Sequence, residues 1–269
     1  MFKKILTTTF LILLFVSCGT SPFGRKQLIF MPASEMDAMG IKAFAEMKQE
    51  TPIETNAKTN RYVQCVTHAI LETFDTGGQE WEVVVFDDES INAFALPGGK
   101  VGVYTGLFQA ANNQHRLAAV IGHEIAHVRS QHGNERVSQK FAVEGGLALG
   151  GILLETLGNV SMNSDKGQLL MAALGGLGQL GIILPYSRTH ESEADELGLQ
   201  YMAQAGFDPR ESVALWQKMS QTNEKQSFEF LSTHPANETR IQQLNNAMGG
   251  AMQLYQQARA SGKNPDCRQ

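Results

Sequence analysis

The chain has 269 residues, 42% of them hydrophobic and 18% charged, enough to bury a sizeable core in one domain. A net charge of -5 and a sequence pI near 5.8 give no basic footprint, so nucleic acid is excluded as an expected partner.

Residues 1–17 read as an export signal rather than as part of the fold. Lys3 and Lys4 precede an apolar run from Ile5 to Val16 that is short for a bilayer span but normal for a secretion signal. The run closes on Phe15-Val-Ser-Cys18, and small residues before a cysteine resemble a bacterial lipoprotein processing site. The expected mature chain then starts at a lipidated Cys18, continues through a tether over 18–33 with Pro22 and Gly24, and forms one domain over 34–269. With Cys18 acylated, Cys65 and Cys267 remain as an even pair in an oxidising compartment. They are candidates for a disulfide tying the C-terminal tail to an N-terminal helix.

Helices are expected from Ser34 to about Gln49 and from about Glu54 to Phe74, separated by Thr51-Pro52 and closed by Gly77-Gly78. The hydrophobic period then drops to two. Trp81 to Phe86 reads as a strand, and Ala93 to Leu96 with Val101 to Tyr104 as a tight pair around Pro97-Gly98-Gly99. An unpaired strand edge here could accept an extended peptide backbone, which makes Asn92, Ala93, Phe94 and Ala95 candidate substrate-binding residues. Thr105 to Ala111 suggests a short helix, with Asn112 or Asn113 capping the next one.

That next helix carries His123-Glu-Ile-Ala-His127. At about 100° per residue, His123 and His127 leave one face a turn apart and can grip one metal ion. Glu124 projects to one side, where it can act on a water in an open coordination position. Leu117, Ile121, Ile125 and Val128 form an apolar stripe opposite the histidines, so the helix is expected to be buried, and buried polar side chains need a partner. A metzincin would place glycine and histidine where Ser130 and Gly133 stand, which excludes that class. His132, extrapolated along the same helix, falls about 140° from His127 and off the metal face, so a solvent or helix-end role is expected for it. The third ligand is expected further on, where Glu191, Ala194, Asp195, Gly198, Met202 and Ala205 share the small face of a helix. Glu191 would reach the metal and Asp195 would accept the second ring N–H of a ligand histidine. Glu193 and Glu196 point elsewhere and read as solvated charges. Two imidazoles favour zinc over magnesium or calcium.

His123-Glu-x-x-His127 followed by Glu191-x-x-Ala-Asp195 resembles the gluzincin metallopeptidase family that includes HtpX and the CAAX prenyl endopeptidases, closest to its exported periplasmic lipoprotein members such as LoiP. Gly24-Arg-Lys-Gln27, Asn92 to Gly99, Ala205-Gly-Phe-Asp-Pro209 and Thr233-His-Pro235 with Arg240 are similar to segments of those members. The resemblance implies an α+β, mainly helical zincin-like fold with a small antiparallel sheet packed before the metal helix. It also implies one Zn2+ per chain and endopeptidase activity on misfolded or unassembled envelope proteins. The expected location is a lipid anchor in the cell envelope, at the outer membrane facing the periplasm. In such a site His234 either stabilises an oxyanion, with Arg240 assisting, or takes the fourth zinc position and holds the enzyme off. The apolar segments between Phe141 and Leu184 read as helices over or beside the site, as a movable lid rather than a membrane insertion. A competing class is a metal-stabilised chaperone that binds client chains without cutting them, although such a protein has no chemical need for Glu124.

Overall fold

A computed structural model of the chain describes residues 18–148, 186–220, 229–234 and 238–268. The expected signal segment, 1–17, and most of the expected lid, 149–185, lie outside the described residues. In chain order come β1 (Cys18–Thr20), β2 (Lys26–Leu28), α1 (Ala33–Glu50), α2 (Ala57–Leu71), β3 (Glu82–Phe86), β4 (Ala93–Leu96) and β5 (Lys100–Tyr104). A 3-10 turn at Thr105–Gln109 leads into α3 (Gln114–Arg129) and α4 (His132–Ala148). The remaining helices are α5 (Arg188–Gln204), α6 (Arg210–Ser220), α7 (Glu229–Thr233) and α8 (Glu238–Ala260). Helix dominates, as the α+β reading expects. Among the described residues no helix is long and apolar enough to cross a membrane.

The sheet order is β3-β5-β4, with β4 and β5 antiparallel as expected. β3 runs parallel to β5, so the sheet is mixed rather than wholly antiparallel. Strict alternation splits its side chains between two cores. Val85, Ala93, Ala95, Val101 and Val103 face the main core with α2 and α3, whereas Phe86, Phe94, Leu96 and Tyr104 close on Phe44 of α1. The Phe94 ring fits because residue 102 is glycine; a Cβ there would lie 2.2 Å from Phe94 Cζ.

Residues 18–28, expected as a tether, instead form a hairpin in which Cys18, Gly19 and Thr20 pair with Leu28, Gln27 and Lys26. Two strands this short are not stable by themselves. The hairpin is held by its side chains, whose partners lie at the site described below.

α3 is the central helix. Asn113 caps it by accepting from the amides of His115 and Arg116, which satisfies otherwise orphaned donors of the first turn. α5 crosses it at a pair of glycines. A Cβ on Gly198 would meet His123 N at 2.7 Å and Gly122 C at 2.9 Å, so the two backbones touch. The small face read from the sequence therefore has a physical use: it brings Glu191 and Asp195 against the histidine-bearing turn of α3.

Candidate metal centre

Four buried side chains converge where α3, α5 and the end of α7 meet. His123, His127, Glu191 and His234 present ligand-type atoms all within 4.8 Å of one another. His123 Nε2 lies 3.1 Å from His127 Nε2 and 3.1 Å from His234 Nδ1. Glu191 Oε1 lies 3.0 Å from His234 Nδ1 and 3.4 Å from His127 Nε2, and Glu191 Oε2 is 3.6 Å from His123 Nε2. The outer nitrogens decide what faces inward. His123 Nδ1 sits 3.0 Å from Asp195 Oδ1, so its proton belongs on Nδ1 and its lone pair on Nε2. Several lone pairs and one carboxylate aimed at a single buried point repel one another, and a divalent cation accepting them removes the conflict. Three nitrogens and one oxygen suit zinc.

Glu124 lies at 3% exposure beside this set. Its Oε1 has no hydrogen-bond partner among the described residues and is 3.4 Å from His234 Nε2. Burial raises its pKa above the ordinary carboxylate range, although His234 and His123 oppose the shift and the Ala95 backbone amide donates to it. A carboxylate so placed can accept a proton from a reacting water.

Behind the ligands stands Arg240, from the first turn of α8. Its guanidinium bonds Asp195 at 2.7 and 2.6 Å, approaches Glu191 Oε2 at 2.6 Å, and stacks 3.7 Å over Trp216. It therefore clamps the two carboxylates of α5 from the rear, which differs from the oxyanion-assisting place expected for it. Burial works against the charge of Asp195, but Arg240 outweighs it and holds the carboxyl below its usual range.

The His127 side holds residues that the sequence reading misassigned. α3 ends at Arg129, Gln131 takes a left-handed φ of 53°, and His132 starts α4. The chain has turned back, so an extrapolated α3 gives the wrong direction for His132. Its Nδ1 is 2.9 Å from His127 Nδ1, and its Nε2 is 2.9 Å from Glu193 Oε2. Burial, reinforced by the neighbouring His190, lowers the His132 pKa to about 4. Glu193 is buried rather than solvated, and is held by Arg25 and by the Ser21 hydroxyl at 2.8 Å. Glu196 is exposed, as expected. Tyr186 stacks on His127 at 3.8 Å and Phe230 on His234 at 4.5 Å. The sequence signal for this side was Gly24-Arg-Lys-Gln27, a resembling segment to which no role had been given.

The four residues expected on the docking edge divide. Tyr104 N donates to Asn92 O, so the backbone groups of Asn92 and Phe94 turn inward to β5 while those of Ala93 and Ala95 turn to the outer edge. Phe94 itself is packed among Phe44, Phe86 and Tyr104 and is not offered to a ligand. Beyond Ala95 an apolar hollow continues between Leu96, Pro97, Met36 and Met39 toward Tyr186. On the far side of the core a disulfide joins Cys65 to Cys267, with Cα atoms 5.7 Å apart, and the Cys267 amide donates to Gln114 in the first turn of α3.

Residues 57–248 match the model of peptidase family M48. The chain is similar to mitochondrial metalloendopeptidase OMA1 of Schizosaccharomyces pombe, at 34% identity over 69% of this chain and 52% of that protein. It is 31% identical to mitochondrial metalloendopeptidase OMA1 of Bos taurus over 91% of this chain and 49% of that one. Beta-barrel assembly-enhancing protease of Escherichia coli matches at 28% identity over 77% of this chain and 42% of its own length. The chain thus spans about half the length of these relatives.

Proposed function

Because the chain belongs to peptidase family M48, we propose that it is a zinc-dependent endopeptidase, with His123, His127 and Glu191 as metal ligands and Glu124 as general base. The observation that carries this reading is the convergence of those donors around one buried point with the Glu124 carboxylate beside it. When bound, zinc polarises the scissile carbonyl and acidifies a water. Glu124 takes that water's proton and delivers it to the leaving amine. Asp195 and Arg240 fix the ring of His123 and the carboxylate of Glu191. The outward backbone groups of Ala93 and the outward carbonyl of Ala95, whose amide donates to Glu124, receive substrate as an added strand, which selects extended chain over any particular sequence.

In the resting protein His234 serves as a fourth ligand rather than as an oxyanion donor; the proximity of its Nδ1 to His123 and Glu191 supports this. His234→Ala then raises turnover of an unfolded substrate, whereas an oxyanion role requires it to fall. The finer reading places the protein in a bacterial cell envelope, exported by residues 1–17, lipidated at Cys18, and held at the outer membrane with its peptidase domain, 34–269, in the periplasm. Its substrates there are misfolded or unassembled envelope proteins. The Lys3-Lys4 start with its apolar run, the resemblance to exported lipoprotein members, and the beta-barrel assembly-enhancing relatives support that location.

The test is Glu124→Gln against wild type on casein, with zinc content measured in both. The expected outcome is equal zinc and a fall in kcat of about 10²–10⁴-fold. Equal cleavage by both forms removes Glu124 from the mechanism, and zinc binding without cleavage by wild type favours the chaperone reading.

A further inference from the structure

Taking the zinc-peptidase reading as its base, we infer that Arg25, Glu193 and His132 are positioning residues for His127, which makes the β1–β2 hairpin a working part of the metal centre. The argument follows the protons. Glu193 receives Ser21 Oγ at 2.8 Å and Arg25 Nε and Nη2 at 3.0 and 2.9 Å, so it is an ionised acceptor with nothing to donate. His132 Nε2, 2.9 Å from Glu193 Oε2, is therefore the donor. That leaves a lone pair on His132 Nδ1, and the 2.9 Å approach of His127 Nδ1 is a hydrogen bond only when His127 donates. With its one proton on Nδ1, neutral His127 has its Nε2 lone pair turned to the donor set. The opposite proton order would place a proton on the nitrogen that must ligate.

Arg25 holds the relay in register. While Nε and Nη2 grip Glu193, Nη1 and Nη2 each reach a Glu135 oxygen at 2.7 Å. Glu135 also receives Gln27 Nε2 at 2.8 Å and His190 Nε2 at 3.0 Å. The His190 ring stacks 4.4 Å from that of His132 and limits its rotation. One guanidinium thus fixes the carboxylate on α5 and the carboxylate on α4 at once, and it arrives on a hairpin that those contacts hold in place. A lysine could neutralise the pair but could not make both forked contacts.

The experiment uses the full chain and Zn2+ alone. Zinc affinity is measured by chelator competition, the visible spectrum of the Co2+ form reports ligand geometry, and the melting temperature of the zinc-free protein reports folding. Glu193→Gln and His132→Leu are expected to weaken zinc binding about 10–100-fold and to shift the cobalt band. Arg25→Gln acts in the same direction by roughly tenfold. His132→Asn, which returns an acceptor near the Nδ1 position, restores affinity to within about threefold of wild type. Wild type that takes up no zinc sinks the zinc reading itself. Wild type that binds zinc, with Glu193→Gln and His132→Leu within about threefold of it and an unshifted cobalt band, overturns the relay alone. Should His132→Leu fail to fold, Glu193→Leu, which removes the acceptor of the His132 Nε2 proton, decides by the same threshold.

Discussion

The two ligand histidines of α3 are supported by different means. His123 leans on Asp195, a carboxylate one turn beyond Glu191, and Arg240 grips that carboxylate from within the core at 3% exposure. His127 leans on a carboxylate only through another imidazole, and the arginine at the end of that chain comes from the N-terminal hairpin with 27% of its side chain exposed. Both arms end in an arginine-clamped carboxylate. The inner arm is bound into the helical core; the outer arm depends on a docked segment far away in sequence. The same chemical device is therefore fixed by packing within the helical core on one side and by contacts from the N-terminal hairpin on the other.

Replacing each arginine separately is the sharpest way to break this contrast. Arg240→Met strands two buried carboxylates and is expected to cost about 3–5 kcal/mol of unfolding free energy. Arg25→Met leaves a cluster nearer water and is expected to cost no more than about 2 kcal/mol. Denaturant melts of the zinc-free forms measure both, and equal losses would erase the distinction. Gly198→Ala acts on the contact between α3 and α5 without touching a charge. By forcing α5, which carries Glu191, Glu193 and Asp195, away from α3 it should weaken zinc binding roughly tenfold, a change read by chelator competition.

The smallest expected effect belongs to the outer arm and is a matter of pH. Burial opposes the charge of Glu135, but Arg25 and Gln27 outweigh it and bring its pKa down to about 2. Its folded value lies below its unfolded one, so its contribution to stability is complete above about pH 4.3 and is lost as the pH falls toward 2. Acid titration of stability should show this limb in wild type and a flatter one in Glu135→Gln.

Legibility follows the same division. The spacing of His123 and His127 is local helix geometry, and the small face of α5 is a local pattern too, so the elements that place the inner donors could be read from the chain. Arg25 and Glu193 are 168 residues apart, and no period links them. Glu193 looked solvated because its partners come from elsewhere, and 18–28 looked like a tether because such short strands have no fold of their own. His132 was misplaced by a helix that ends at Arg129 and a left-handed Gln131 that no glycine announced. The parallel pairing of β3 with β5 was hidden for a related reason: nothing in adjacent residues specifies it.

The contact between Gly122 and Gly198 sets a lower limit of its own. With main chain resting on main chain, the gap between the two helices cannot shrink further and cannot be adjusted by trimming or lengthening a side chain at that point. The aperture in which an ion must fit is in effect gauged by peptide thickness, so drift in the surrounding sequence can recolour the chamber without rescaling it.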